Sequence, residues 1–473
     1  MIRIYDQLGC ARVARIAFHI PHPKQADPDD YKNMSLVTRI ENNPMTRFQG
    51  LAITICMIIN MLDGFDVLVV AFTAPSIAAD WGLSGTAIGG LLSAGLVGMT
   101  IGSLVLGPMA DRFGRRNVIL TCLVIISVGM LLSAFTGSMS QLAATRVLTG
   151  LGIGGMLPSL NTLVAEYSSL KWRSFSISFM QAGYPLGATL GGMIAVAVIA
   201  QYGWRSVYAS AGILSSLMIL IAWRQLPESM DYLIMKRPKG ALQKINILLQ
   251  KFGQPLLESM PPQPANTQQE KFGYADLLAT KKLLTTTLML SAAFFVVMVS
   301  FYFVLSWTPK ILVDAGMSTS EGISGGVIIN VGGIIGCMLL GFISSRLDIG
   351  KLIAVYMFVT AVLMVLFSTV SVFNTSMLVL TVSLGFFVFG SIVGLYALAP
   401  QLYPARSRSA GLSIAIGIGR TGGALSPILA GYLFDYGWAK QDGYILFAAP
   451  LLLSMVLVVL LAARRIRSEH QKV

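Results

Sequence analysis

Apolar residues in this chain fall in long unbroken runs rather than in the narrow stripes of a soluble helix. Twelve runs are centred near Asp63, Gly98, Ile126, Gly154, Gly187, Leu214, Val296, Gly332, Val362, Phe387, Gly417 and Leu452. About 20 apolar residues cross about 30 Å of hydrocarbon as a helix, which satisfies its own backbone hydrogen bonds. None of the runs shows the alternation of a barrel strand. The pattern therefore predicts an all-α polytopic membrane protein with twelve transmembrane helices. Composition agrees: 55% of the 473 residues are hydrophobic and 12% charged, and mean hydropathy is +0.72. One soluble core could not bury that much apolar surface.

The longest polar interval, residues 226–280, contains PPQPANTQQE and reads as a cytoplasmic linker. It divides the chain into a first six-helix bundle over 50–225 and a second over 281–464, with polar tails at 1–49 and 465–473. Two loops recur at nearly one offset. GPMADRFGRR (107–116) follows the second run as GFISSRLDIGK (341–351) follows the eighth, and EYSSLKWRS (166–174) follows the fourth as QLYPARSRS (401–409) follows the tenth. This predicts a 6+6 pseudo-symmetric duplication, a common plan of secondary transporters. Glycine is concentrated in the second, fifth, eighth and eleventh runs. Small residues let helix backbones approach, so these are the expected surfaces where bundles meet and slide.

A net charge of +13 would suit a nucleic-acid partner, but its distribution excludes one. All but five of the 34 Lys and Arg lie in the tails, in the linker or in alternate loops. Arg205, Lys310 and Lys440 lie on the opposite side, and Arg146 and Arg420 lie inside runs. The asymmetry predicts that both termini and the linker are cytoplasmic. Cys10, Cys56, Cys122 and Cys337 have no metal-ligand spacing. No nucleophile, metal set or nucleotide loop suggests an enzyme.

The polar residues inside the runs carry the candidate chemistry. Asp63 and Asp66 lie deep in the first run, in NMLDGFDVLVV, at an insertion cost of about 2.5–3.5 kcal/mol each. Two ionised carboxylates three residues apart on a helix would repel, so a proton held between them is expected. His19, His22 and His470 lie in the tails, which leaves the proton to the carboxylates. Arg146 descends to a height similar to that of Asp66, which allows an ion pair there and makes Asp63 the better proton carrier. Arg146 and Arg420 are the two intramembrane cations available to a substrate anion. Arg420 has no acid at its depth in its own run, and its planar fork matches a carboxylate with two hydrogen bonds. Gln181, Tyr184, Tyr302, Asn330 and Tyr396 could hydrogen-bond or stack on a ring, or serve only in packing.

These motifs resemble the major facilitator superfamily, whose signature G-x-x-x-D-R-x-G-R-R/K is matched by Gly107, Asp111, Arg112, Gly114, Arg115 and Arg116. In the second half only Gly341 and Arg346 stand in register, and Ser345 replaces the aspartate. LDGFD in the first run, RVLTGLGIGG in the fourth and GIGRTGGALSP in the eleventh resemble the aromatic acid:proton symporters. The resemblance covers about residues 45–465. Residues 1–33 have no counterpart in it, and Met34 would serve as a start. It implies a cell (inner) membrane carrier without cofactor, working as a monomer. Its cargo would be a benzoate-like carboxylate, or a ring-cleavage acid such as muconate, together with a proton. It also implies that Asp111 helps to close the cytoplasmic side against the start of the eleventh helix, whose N-terminal dipole favours an anion. Glu166 and Arg173 are a second candidate latch there. A drug or organic-acid efflux antiporter is the alternative on the same fold, although GYPLGATLGG lacks its G-P-x-x-G-G. A sensor of aromatic acids that moves nothing is a further alternative.

Overall fold

The computed structural model describes residues 43–169, 172–261, 281–344, 347–369, 375–403 and 408–470. The first bundle comprises α1 (Arg47–Trp81), α2 (Gly85–Phe113), α3 (Arg115–Ala134), α4 (Met139–Glu166), the pair α5 (Arg173–Gln181) and α6 (Gly183–Tyr202), and α7 (Arg205–Gln225). Two short helices follow, α8 (Met230–Lys236) and α9 (Ala241–Lys251). The second bundle comprises α10 (Lys281–Asp314), α11 (Thr319–Ile343), α12 (Ile349–Ser368), α13 (Thr375–Leu398), α14 (Arg408–Asp435) and α15 (Lys440–His470). Among the described residues, eleven helices are long and apolar enough to cross a membrane. The twelfth expected span is α14, a continuous helix of 28 residues whose apolar character is diluted by Gly, Ser, Thr and Arg420.

Local chemistry sets the helix ends. Thr46 and Gln49 form a capping box at the start of α1, and Ser318 and Glu321 form one at α11. Gly82 ends α1 in the left-handed region at φ 61°. Gly114, at φ 97°, is the single residue joining α2 to α3, and a Cβ there would lie 2.4 Å from a Glu228 carboxylate oxygen. The signature glycine at 114 is thus required twice, by backbone conformation and by space.

The pairing repeats between halves. In the first bundle α1 packs on α6, α2 on α4, α3 on α4 and α7; in the second α10 packs on α14, α11 on α13, α12 on α13 and α15. Between the bundles α2 packs on α14, α6 on α11 and α1 on α10. Glycines make the close approaches, both within and between halves. A Cβ on Gly154 would lie 1.9 Å from the Met99 carbonyl, its counterpart on Gly385 1.9 Å from the Ile329 carbonyl, and one on Gly89 2.3 Å from the Pro427 carbonyl. Gly64, between the two aspartates, lets α6 come close, since its Cβ would sit 1.9 Å from the Tyr184 carbonyl. Gly64→Ala is therefore expected to destabilise the fold by about 1–3 kcal/mol, as overpacked cores do. A fall in the thermal unfolding midpoint in detergent checks this, and an unchanged midpoint refutes it.

Three features differ from the sequence reading. The fifth span is interrupted at Ala182, three residues before Pro185, whose missing N–H leaves the Gln181 carbonyl without its helical donor. The first part of the expected linker is folded. Ile245, Leu248 and Leu249 of α9 are buried, and Phe252 just after it meets Phe48 at 5.8 Å and Tyr167 at 5.6 Å between ring centroids. PPQPANTQQE lies outside the described residues beyond Pro261. Finally, α15 continues past residue 464 to His470. Residues 1–42, including Cys10, His19, His22 and Met34, are also outside the described residues, as are Ser345 and Arg346.

Candidate functional site

The α1 helix passes between the bundles and places Asn60, Asp63 and Asp66 one turn apart, all 1% exposed or less. One carboxylate oxygen of Asp63 and both of Asp66 are sealed from solvent without a hydrogen-bond partner. Their surroundings separate the two aspartates.

Asp63 faces the second bundle. It interacts electrostatically with Arg420 of α14; Tyr302 interacts with both charges, Tyr184 with Asp63 and Tyr396 with Arg420. Tyr184 lies on α6, Tyr302 on α10 and Tyr396 on α13, so groups on five helices from both halves are linked through these pairwise interactions. Gly423, one turn above Arg420, leaves the Tyr302 ring its place, because a Cβ there would lie 2.5 Å from a ring carbon. Tyr396 is 37% exposed, and its ring centroid lies 5.1 Å from that of the buried Phe294. The Tyr184 hydroxyl is sealed and unpartnered. One carboxylate, one guanidinium, three phenols and a phenyl face form a polar, ring-lined centre where the bundles meet. Such a centre could bind the carboxylate of an aromatic acid at Arg420 and stack its ring.

Asp66 and Arg146 lie inside the first bundle. Arg146 is 1% exposed. It meets Asp66 at the main chain: Nη2 donates to the Asp66 carbonyl at 2.7 Å, and Nη1 approaches the Met130 sulfur at 2.7 Å. Its guanidinium carbon lies 5.8 Å from the centroid of the Tyr208 ring, a cation–π contact. The expected contact with Asp66 thus forms, but to the carbonyl rather than the carboxylate. In this conformation Arg146 is enclosed by α1, α3 and α7 and does not reach the Asp63 centre. Arg146→Lys loses the forked donor set and is expected to lower stability by about 1.5–3 kcal/mol. Ligand affinity of the protein that remains folded should be unchanged. A matching loss of affinity would show that Arg146 serves the substrate after all.

The remaining candidates are Gln181, at the end of α5, and Asn330, in α11. Gln181 is exposed, and its Nε2 donates to Asn161 Oδ1 at 3.3 Å. Asn330 is buried, with Nδ2 donating to the Gly326 carbonyl at 2.9 Å and Oδ1 unpartnered.

The signature loop closes the opposite end of the first bundle, hereafter the Gly114 end. The Arg116 side chain donates to the Trp223 carbonyl, and its backbone N–H donates to Glu228 Oε1 at 3.1 Å. The Arg112 guanidinium carbon lies 5.3 Å from the Phe113 ring centroid, and a Cβ on Gly107 would make only an ordinary contact, with Pro158 Cγ at 3.9 Å. Arg115 interacts electrostatically with Glu166, whose buried carboxylate also lies against Ser229 and Asp231 at the start of α8. Arg173 donates from Nε to the Ala165 carbonyl at 3.2 Å. The Asp111 side chain is not among the described groups.

Sequence reasoning missed three participants. Glu228 anchors the loop, and its carbonyl accepts from the Tyr167 hydroxyl at 2.7 Å; the polar P-E-S after the sixth run was its signal. Asn60, one turn from Asp63, donates from Nδ2 to the Met180 carbonyl at 2.8 Å, beside the break at Ala182. Phe294 had no signal, because one phenylalanine in an apolar run resembles every other.

Two six-helix bundles with matching internal pairing, and a buried carboxylate and a half-buried guanidinium where they meet, define a membrane carrier rather than an enzyme. The chain belongs to the Major Facilitator Superfamily, whose family model matches residues 56–398. It is 30% identical to a gallate transporter of Pseudomonas putida over 91% of this chain and 95% of that one. It is 29% identical to a 4-hydroxybenzoate transporter of the same organism, over 92% and 97%. The fold resembles the inward open xylose transporter XylE from E. coli with a TM-score of 0.68 at 18% identity, covering 86% of this chain and 95% of that chain. The protein is therefore a multi-pass transporter related to aromatic acid transporters.

Proposed function

We propose that this protein imports an aromatic carboxylate together with a proton by alternating access, across a cell membrane with both termini in the cytoplasm. The observation that carries the reading is the neighbourhood of Asp63 and Arg420, with three tyrosines, at the junction of the bundles. One cation there faces two potential anions. An ionised carboxyl in a low-dielectric site is tolerated beside a cation and is costly without one. When a substrate carboxylate takes the Arg420 fork, Asp63 loses its counter-charge and takes up a proton. Binding of anion and binding of proton are then mutually favourable, as thermodynamic linkage requires. Tyr396, 37% exposed and backed by Phe294, supplies the surface for a ring. Transport of aromatic acids by relatives about 30% identical over nearly the whole chain supports the substrate class.

The first test is thermal stabilisation of the purified protein by benzoate, hydroxybenzoates, gallate, phenylpropionates and muconate. A bound ligand at 100 times its Kd adds about 2.7 kcal/mol of stability. Stabilisation by at least one ring carboxylate, and not by its amide, is the expected result. No response to any of them would overturn the substrate class.

A further inference from the structure

We propose that Asp435 is the latch that holds the two bundles together at the end where α1 turns into α2, the Gly82 end. The inference rests on the alternating-access reading and adds to it a residue that biases the cycle.

Asp435 is the last residue of α14, in the second bundle, and it reaches the start of α2, in the first. Its Oδ1 accepts from the Gly85 N–H at 2.6 Å and its Oδ2 from the Thr86 N–H at 2.7 Å. These are the first two N–H groups of α2, which have no partner inside their own helix. The next is already satisfied by the N-cap Ser84, whose Oγ accepts from Ala87 N–H at 3.2 Å. A carboxylate at this position gains two charge-assisted hydrogen bonds and the favourable end of the helix dipole. Every other side-chain hydrogen bond described above stays within one bundle.

The backbones beneath are shaped for the contact. A Cβ on Gly431 would lie 2.2 Å from the Gly85 carbonyl, and one on Gly89 2.3 Å from the Pro427 carbonyl. Without those glycines Asp435 could not come within reach. The contact is also built to open. Asp435 is exposed, so water can solvate the carboxylate and the freed N–H groups as soon as they separate, and no buried charge is left behind.

The experiment measures distance across the Gly82 end. Spin labels are placed at the exposed positions Ser140, in the first bundle, and Ala315, in the second. The full-length protein is used in bilayers, with its four cysteines replaced by serine, and distances are read by double electron–electron resonance without substrate. With Asp435 present, one short distance is expected to dominate. Asp435→Ala should raise the fraction at longer distance several-fold. Asp435→Asn, of the same shape but uncharged, should fall between the two and serves where the alanine variant does not fold. Identical distributions for all three would overturn the latch. The readout needs no ligand, so an error in substrate class would leave it unaffected.

Discussion

Asp63→Asn is expected to abolish accumulation of an aromatic acid against its gradient while sparing exchange of labelled for unlabelled acid across the same membrane. The amide has the size of the protonated carboxyl and cannot release a proton, so it holds the centre permanently in the substrate-ready state. Arg420 is then free of its counter-charge and should bind substrate as well as before, or better, with little dependence on pH. In proteoliposomes with an imposed pH gradient, the accumulation ratio should fall to about 1, since the cargo is no longer linked to the proton. Counterflow should continue, because exchange needs only the loaded carrier to reorient. An Asp63→Asn protein that still concentrates its substrate would remove Asp63 from the proton path. Asp66, whose two oxygens are sealed and unpartnered, would then be the group to test.

Arg420→Lys should weaken binding of the same acid about tenfold, and Arg420→Ala at least about a hundredfold. The lysine keeps the charge but loses the planar fork, so one of two parallel hydrogen bonds to a carboxylate is lost. The alanine removes both bonds and leaves Asp63, itself 1% exposed, without a cation. Titration calorimetry on purified protein separates the two effects from any change in transport rate. Equal affinity in all three proteins would mean that the acid binds elsewhere and that Arg420 only balances Asp63.

Much of this was legible in the chain itself. Long apolar runs leave few alternatives in a bilayer, where backbone groups must be satisfied within a segment. The helices and their 6+6 order therefore follow from hydrophobic pattern and loop recurrence. A charge in such a run is costly enough to be conspicuous, and Asp63, Asp66, Arg146 and Arg420 stood out for that reason. Gly114 was legible as a signature glycine, and its positive φ and the nearby Glu228 carboxylate give the cause.

Partnership was not legible. Asp66 and Arg146 come to similar depths, which suggested an ion pair, yet the guanidinium bonds the Asp66 carbonyl. Depth fixes height along a helix but not the direction in which a side chain points around it. Asp63 comes within electrostatic range of Arg420, 357 positions away in the chain, because the fold brings α1 and α14 to the same junction. Asp435 reads in sequence as one solvated acid at a helix end. It becomes a bridge because glycines at 85, 89 and 431 bring α2 and α14 close enough for its carboxylate to reach the first N–H groups of α2. The sequence by itself determined what must be buried in the membrane and which buried groups would be costly. Only the tertiary structure decided which of those groups face one another, because that depends on helix rotation and on packing between distant segments.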